Sequence, residues 1–294
     1  MLYFVQGEQM PARAYILDRP AELTSSVVFA SPHSGNDYPN WFLSRSILDA
    51  RSIRSSEDAF VDRLFDVAPS FGAPILKAGA PRAFVDYNRS SDELDPALIA
   101  GIKWAGNNPR VASGLGVIPR VVSNARPIYR GKLTTQEAEL RLKNYWHPYH
   151  QALKGLLDEA RSTFGKAILV DCHSMPHEAL ENIRLTNGKR PEIVLGDRFG
   201  VSADPEIMNE VEAAFVAAGF VVSRNTPFAG AFVTQHYGRP SRGQHAIQIE
   251  IDRSLYMDET RIVPNANFAS FKKVLQTVIG RITDVGRPQR MAAE

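Results

Sequence analysis

Two histidines sit where a short apolar run gives way to polar residues. His33 lies in FASPHSGNDYP (29–39) and His173 in ILVDCHSMPHE (168–178). Two imidazoles from two strand ends, with one carboxylate, make the three-ligand set of a catalytic zinc site that keeps a fourth position for water. Nitrogen donors with a single carboxylate favour zinc over magnesium or calcium. The carboxylate candidates lie in SSEDAFVDRLFD (55–66). Asp58 and Asp62 are one helical turn apart and share a face. Ser55, three residues before Asp58, also spells a helix capping box. Asp58 is therefore a ligand or a cap, and Glu57 competes with it. Asp171, two residues before His173, shares its strand face and suits orienting that ligand. His177, four residues after His173, is an alternative ligand.

A second set of residues could recognise or activate a substrate. Arg82 and Arg89 flank a short apolar run in APRAFVDYNRSS (80–91), with Asn88 beside Arg89. A guanidinium fork matches a carboxylate and could also stabilise a developing oxyanion. The plainer reading is surface arginines at a strand's two ends. In HAIQIEIDRSLYMDE (245–259), Gln248, Glu250 and Asp252 alternate with isoleucines, so a carboxylate stands on the face opposite an apolar one. Glu250 is either exposed on an edge strand or a general base for metal-activated water. His147 and His150 in WHPYH suit helix packing or capping, and His236 in TQHYG could contact substrate. Cys172 faces away from His173 and reads as core.

The elements that must position these groups follow from periodicity. Apolar runs at 26–31, 74–78, 83–87, 167–172, 192–196, 220–223 and 246–251 predict strands, most of them covered on both faces. Helical patterns occupy 57–68, 134–163 (bent at Pro148), 205–218 (opened by Pro205 and stopped before Gly219) and 265–284. Residues 88–133, richer in Gly, Pro, Asn and Arg, read as an excursion over the sheet's edge. Alternating strands and helices predict an α/β fold, a single-domain sandwich over 1–294 with a central mixed, mostly parallel β-sheet flanked by helices. His33 and His173 then lie at strand carboxyl ends, where such sheets bind ligands.

Composition narrows the function classes. The chain has 294 residues, is 44% hydrophobic and 22% charged, and carries a formal charge of +2. That balance argues against nucleic acid or another polyanion as partner. No apolar run reaches membrane-span length, so no membrane association is expected. Cys172 is the only cysteine, which rules out an internal disulfide and suits a reducing cytoplasm.

Seven segments together resemble the N-formylglutamate amidohydrolase family: PHSG, DAFVDRLFD, PRAFVDYNR, VDCHS, LGDRFG, NTPFAGAFVTQHYG and HAIQIEIDRSLYMDE. They run in the family's order from residue 31 to about 259. The resemblance implies a fold like that of zinc carboxypeptidases and aspartoacylases, one zinc ion, and a small N-acyl amino acid as substrate. It implies His33 and His173 as zinc ligands, Glu250 as general base, Arg82 on the scissile carbonyl, and Asn88 with Arg89 on a substrate carboxylate. Those distant relatives place a glutamate three residues after the first histidine, where this chain has Asn36; Asp58 is the substitute. TPFAGAF (226–232) resembles a substrate-covering loop. The expected activity is removal of the N-formyl or N-acyl group from a small acidic amino acid. A carboxypeptidase, another N-acyl amino acid hydrolase, and a metal-free small-anion binding protein are the alternatives.

Overall fold

The computed structural model describes residues 10–103, 108–184 and 188–288. Seven strands form one sheet: β1 (Tyr15–Asp18), β2 (Val27–Ser31), β3 (Ile75–Ala78), β4 (Ala167–Met175), β5 (Ile193–Gly196), β6 (Val222–Arg224) and β7 (Gln244–Asp252). Their order across it is β1-β3-β2-β4-β7-β5-β6. β2 is parallel to β4, β4 to β7 and β5 to β6, while β5 and β7 are antiparallel. The sheet is thus mixed and mostly parallel, flanked by helices. Apolar runs without alternation form β2 and the first half of β4, and both strands are buried along their whole length.

Contacts divide the described residues into two compact units. One lies within Met1–Ile16, Pro32–Ala59 and Lys77–Gln151, the other within Leu17–Ser31, Phe60–Leu76 and Ala152–Glu294. The first has only short elements before its longer helices, α1 (Thr135–Arg141) and the start of α2 (His147–Phe164). Thr134 caps α1 by accepting from the Glu137 amide. A π-helical turn, Leu142–Trp146, joins α1 to α2. Pro148 has no N–H and its ring crowds the carbonyl four residues earlier. The expected bend is therefore taken up as a widened turn just before the proline.

The second unit holds β2, β4, β5, β6 and β7 with α3 (Pro205–Ala217) and α4 (Phe268–Val285). Pro205 occupies the first turn of α3, where its missing N–H costs nothing. α3 packs on α4. Phe215, Leu275, Val278, Ile279 and Ile282 are fully buried, each worth about 1.5–3 kcal/mol of transfer free energy. Ser25 donates to the Thr283 carbonyl at 2.7 Å and ties the approach to β2 to the last turn of α4.

One expected strand does not form, and one expected helix is shorter than its pattern. Residues 83–87 form no strand: the Phe84 and Tyr87 carbonyls meet side chains of the α1–α2 segment, and the amides of 84–86 go to the Pro81 and Val117 carbonyls. In 57–68 only Val61–Leu64 is α-helical. Phe60 adopts a left-handed conformation with φ 69°, and the Asp58 amide is drawn to the His33 carbonyl at 2.9 Å. No side-chain cap opens that helix, so the Ser55 capping box is not realised. Residues 88–133 contain only short elements, and 104–107 of that stretch lie outside the described residues.

Candidate metal centre

His33 stands in the turn that leaves β2. Gly35 makes this turn possible: a Cβ there would meet the Ala80 carbonyl oxygen at 2.2 Å. The imidazole has a carboxylate at each nitrogen. Nδ1 is 3.4 Å from Asp58 Oδ2 and Nε2 is 2.7 Å from Asp86 Oδ1. All three side chains are buried. Asp86 also accepts from the Asn88 amide at 2.8 Å and from Arg82 Nε at 3.1 Å. Burial pushes the Asp86 pKa up, but His33, Arg82 and Arg89 together outweigh it and hold the carboxyl well below the usual range. An ionised Asp86 accepts, so the His33 ring proton belongs on Nε2.

Glu57 and Asp58 are adjacent but differently employed. Arg54 grips Glu57 through both Nε and Nη2 at 2.9 Å, and Tyr38 donates to it at 3.3 Å. A bidentate guanidinium pair of this kind satisfies the carboxylate.

The segment bearing Arg82, Asp86, Asn88 and Arg89 is fixed from outside itself. Arg141, fully buried, donates to the Phe84 carbonyl at 3.0 Å and lies over the Phe84 ring. Trp146 Nε1 donates to the Arg89 carbonyl at 2.9 Å, and His150 Nε2 is 2.9 Å from the Tyr87 carbonyl. Arg141 and Trp146, five residues apart across the π turn, both reach this segment. His150 is thus packed, while His147 is exposed beside Trp146. Arg89 is buried with Glu93 no closer than 3.9 Å, and its Nε has no hydrogen-bond partner among the described residues. Burial lowers its pKa, with the Asp86 charge opposing.

In the second unit the register of β4 and β7 sets Asp171 opposite Gln248 and His173 opposite Glu250. Alternation puts all four on one sheet face. Asp171 Oδ2 is 2.9 Å from His173 Nε2, and Gln248 Nε2 donates to Glu250 Oε1 at 2.8 Å. β7 is an interior strand and Glu250 is 9% exposed, which removes the edge-strand reading. Cys172 is buried, and burial followed by the Asp171 charge drives its thiol pKa well up. Phe228 of the 226–232 loop packs on Met175, Leu180 and Val194. Gly196 lets that loop approach, since a Cβ there would lie 2.7 Å from the Ala229 carbonyl carbon. His177 is 2.7 Å from Asp252 and 2.6 Å from Arg190, and so is engaged apart from His173. His236 stacks on Phe232, and Asp62 lies in the first turn of the short helix Val61–Leu64.

Among the described residues, one group of His, Cys, Asp and Glu side chains could hold a metal ion: His33, Asp58 and His173. Each is buried and offers one ligand atom, and these atoms all lie within 4.8 Å of one another. The donors suit zinc. Ligand atoms around one tetrahedral zinc sit about 3.3–3.4 Å apart, which the His33–Asp58 separation of 3.4 Å already matches. Each histidine also has a carboxylate on its Nε2, the partner that fixes the ring of a metal ligand.

The model of the N-formylglutamate amidohydrolase family matches residues 25–257, most of the chain. The chain belongs to this family. It is accordingly a hydrolase acting on an amide. The N-formylglutamate deformylase of Pseudomonas aeruginosa is 31% identical over 265 residues, 88% of this chain and 91% of that protein. That of Pseudomonas putida is 31% identical over 241 residues, 80% and 82% of the two chains. The crystal structure of N-formylglutamate amidohydrolase from Ralstonia eutropha superposes with a TM-score of 0.85 at 34% identity, covering 92% of this chain and 98% of that one. No helix among the described residues of this family member is long and apolar enough to cross a membrane. Sequence reasoning assigned nothing to Asp86 or to the Gln248–Glu250 contact. The signals were present: Asp86 lies between two arginines in PRAFVDYNR, and Gln248 alternates with Glu250.

Proposed function

We propose that this protein is a zinc-dependent hydrolase that removes the N-formyl group of N-formylglutamate, with His33, Asp58 and His173 as the ligands of one ion. The observation that carries the reading is the buried two-histidine, one-carboxylate set, in a chain whose relatives are N-formylglutamate deformylases. When bound, the ion supplies Lewis acidity, drawing charge from a carbonyl oxygen and lowering the pKa of water toward about 7.

The chain's own residues do the rest. Glu250 takes a proton from the attacking water at a carboxylate oxygen and returns it to the leaving amine nitrogen, so that the amide C–N bond breaks to formate and glutamate. Gln248 orients that carboxylate through its Oε1. Arg82, fixed on Asp86, meets the charge that develops on the formyl oxygen. Asn88 and the buried Arg89 take a substrate carboxylate, and the spare donor at Arg89 Nε supports this. Phe228 and its loop cover the reacting face of β7. The family match runs through both compact units, which supports 1–294 as one functional domain. A buried, unreactive lone thiol suits a cytoplasmic enzyme.

Formate release from N-formyl-L-glutamate tests the reading, with chelator-stripped protein titrated with zinc. Activity should rise to a plateau at one ion per chain. Zinc-loaded protein that releases no formate, or stripped protein that keeps full activity, would overturn it.

A further inference from the structure

We infer that Arg190, held by His177, is the receptor for the side-chain carboxylate of an acidic substrate and so sets the preference for glutamate. This rests on the function proposed above, and it concerns a carboxylate other than the one assigned to Arg89.

The argument starts at the carboxyl ends of β4 and β7. Asp252, last residue of β7, shares a sheet face with Glu250 and stands about 6.6 Å further along the strand. His177 follows β4 directly after Pro176. Its Nδ1 is 2.7 Å from Asp252 Oδ2, and its Nε2 is 2.6 Å from Arg190 Nη1. A guanidinium can only donate, so Nε2 accepts and the ring proton sits on Nδ1, pointing at Asp252. Asp252 also accepts from the Ser254 amide, and Glu259 on the other side of His177 takes that residue's own amide at 2.9 Å. The ring is therefore held through both nitrogens, and its backbone through Glu259.

Arg190 is the open end of this chain of contacts. Among the described residues no carboxylate lies within ion-pairing distance of it, and a neutral imidazole uses only one of its five donors. A partly exposed cation without an acidic partner, built onto an oriented histidine, is prepared for an anion. The side chains on the Glu250 side of this chain of contacts are apolar. Val194 is opposite Glu250 in the β5–β7 register, and Met175 and Phe228 pack with it. Five standard bonds separate the formyl carbon of N-formylglutamate from its side-chain carboxyl carbon, roughly 6 Å when extended. That span is of the order of the step from Glu250 to Asp252, the residue that His177 joins to Arg190. The methylenes would lie along the partly exposed Phe228, with the carboxylate at Arg190.

The test is steady-state kinetics on N-formyl-L-glutamate and N-formyl-L-glutamine, nearly equal in shape but differing in charge. The wild type should prefer glutamate. Arg190→Gln should cut the ratio of kcat/KM values, glutamate over glutamine, about 10- to 100-fold, mainly through KM for glutamate. Arg190→Lys, which keeps the charge without the fork, should retain part of the ratio. An unchanged ratio in Arg190→Gln, or equal loss on both substrates in both variants, overturns the assignment. A wild type that cleaves both compounds equally well also overturns it, yet leaves the amidohydrolase reading standing. A wild type that cleaves neither defeats that reading, and this inference with it.

Discussion

His33 donates through Nε2 to Asp86 Oδ1 at 2.7 Å, and both side chains are buried. This bond fixes which imidazole nitrogen faces Asp58 and ties that choice to the segment carrying Arg82, Asn88 and Arg89. One carboxylate thus couples the proposed ligand shell to the proposed substrate grip.

Asp86→Asn keeps the shape but weakens the acceptor and frees Arg82. Changes of this kind behind a histidine ligand typically cost about 10–100-fold in metal affinity or activity. Zinc competition against a chromogenic chelator should show a loss of that order. Unaltered affinity and unaltered kcat would make Asp86 a folding residue only.

Asp58→Asn and Glu57→Gln should separate cleanly. The first should empty most of the metal site at unchanged stability of the stripped protein. The second should keep the metal and lower stability by roughly 1–3 kcal/mol, because the charge-assisted pair of buried Glu57 with part-exposed Arg54 is broken. Elemental analysis with denaturant unfolding reads both. The reverse pattern would move the ligand by one residue.

Arg89→Lys keeps the charge and loses the planar fork, so KM for N-formylglutamate should rise more than kcat falls. The comparison substrate is one with its carboxylate amidated. Equal loss on that substrate would leave Arg89 as packing for Trp146 and nothing more.

His245 predicts a pH effect. Burial, with Lys166 assisting and Asp204 opposing, lowers its pKa in the folded chain. The Asp204 amide at the start of α3 donates to His245 Nδ1 at 3.3 Å, a contact that needs an unprotonated nitrogen. The unfolded chain therefore binds this proton more readily. The stabilisation is present above the unfolded value near 6.5 and is lost as pH falls through the lower folded value. Melting temperature should fall from pH 7 to pH 5 in the wild type, and fall less in His245→Gln. Parallel curves would rule His245 out as the source.

Much of this arrangement is legible in the amino-acid sequence. The continuous apolar runs at 26–31 and 167–172 become buried β2 and β4, and alternation in HAIQIEID correctly puts Gln248, Glu250 and Asp252 on one face. What failed depended on distant partners. The run AFVDY has strand-like composition, yet Arg141 and His150 capture its carbonyls from more than fifty residues away. The apolar stripe from Phe60 to Ala68 is real in burial, since Val61, Leu64, Phe65 and Ala68 are all buried. The helix is short because Phe60 turns left-handed, which periodicity cannot reveal. Asp86 went unassigned for the same reason: its value lies in meeting His33, fifty-three residues earlier.

Glu250 gives the most direct test. Opposite His173 and oriented by Gln248, it is proposed to move the proton without holding the metal. Glu250→Gln keeps shape and removes the base, and general acid–base groups typically contribute about 10²–10⁴-fold. Turnover of N-formyl-L-glutamate by this variant should be measured with metal content determined on the same preparation. We expect kcat to fall by that order with one ion per chain retained. Near-normal kcat, or loss of the ion together with activity, would contradict the mechanism.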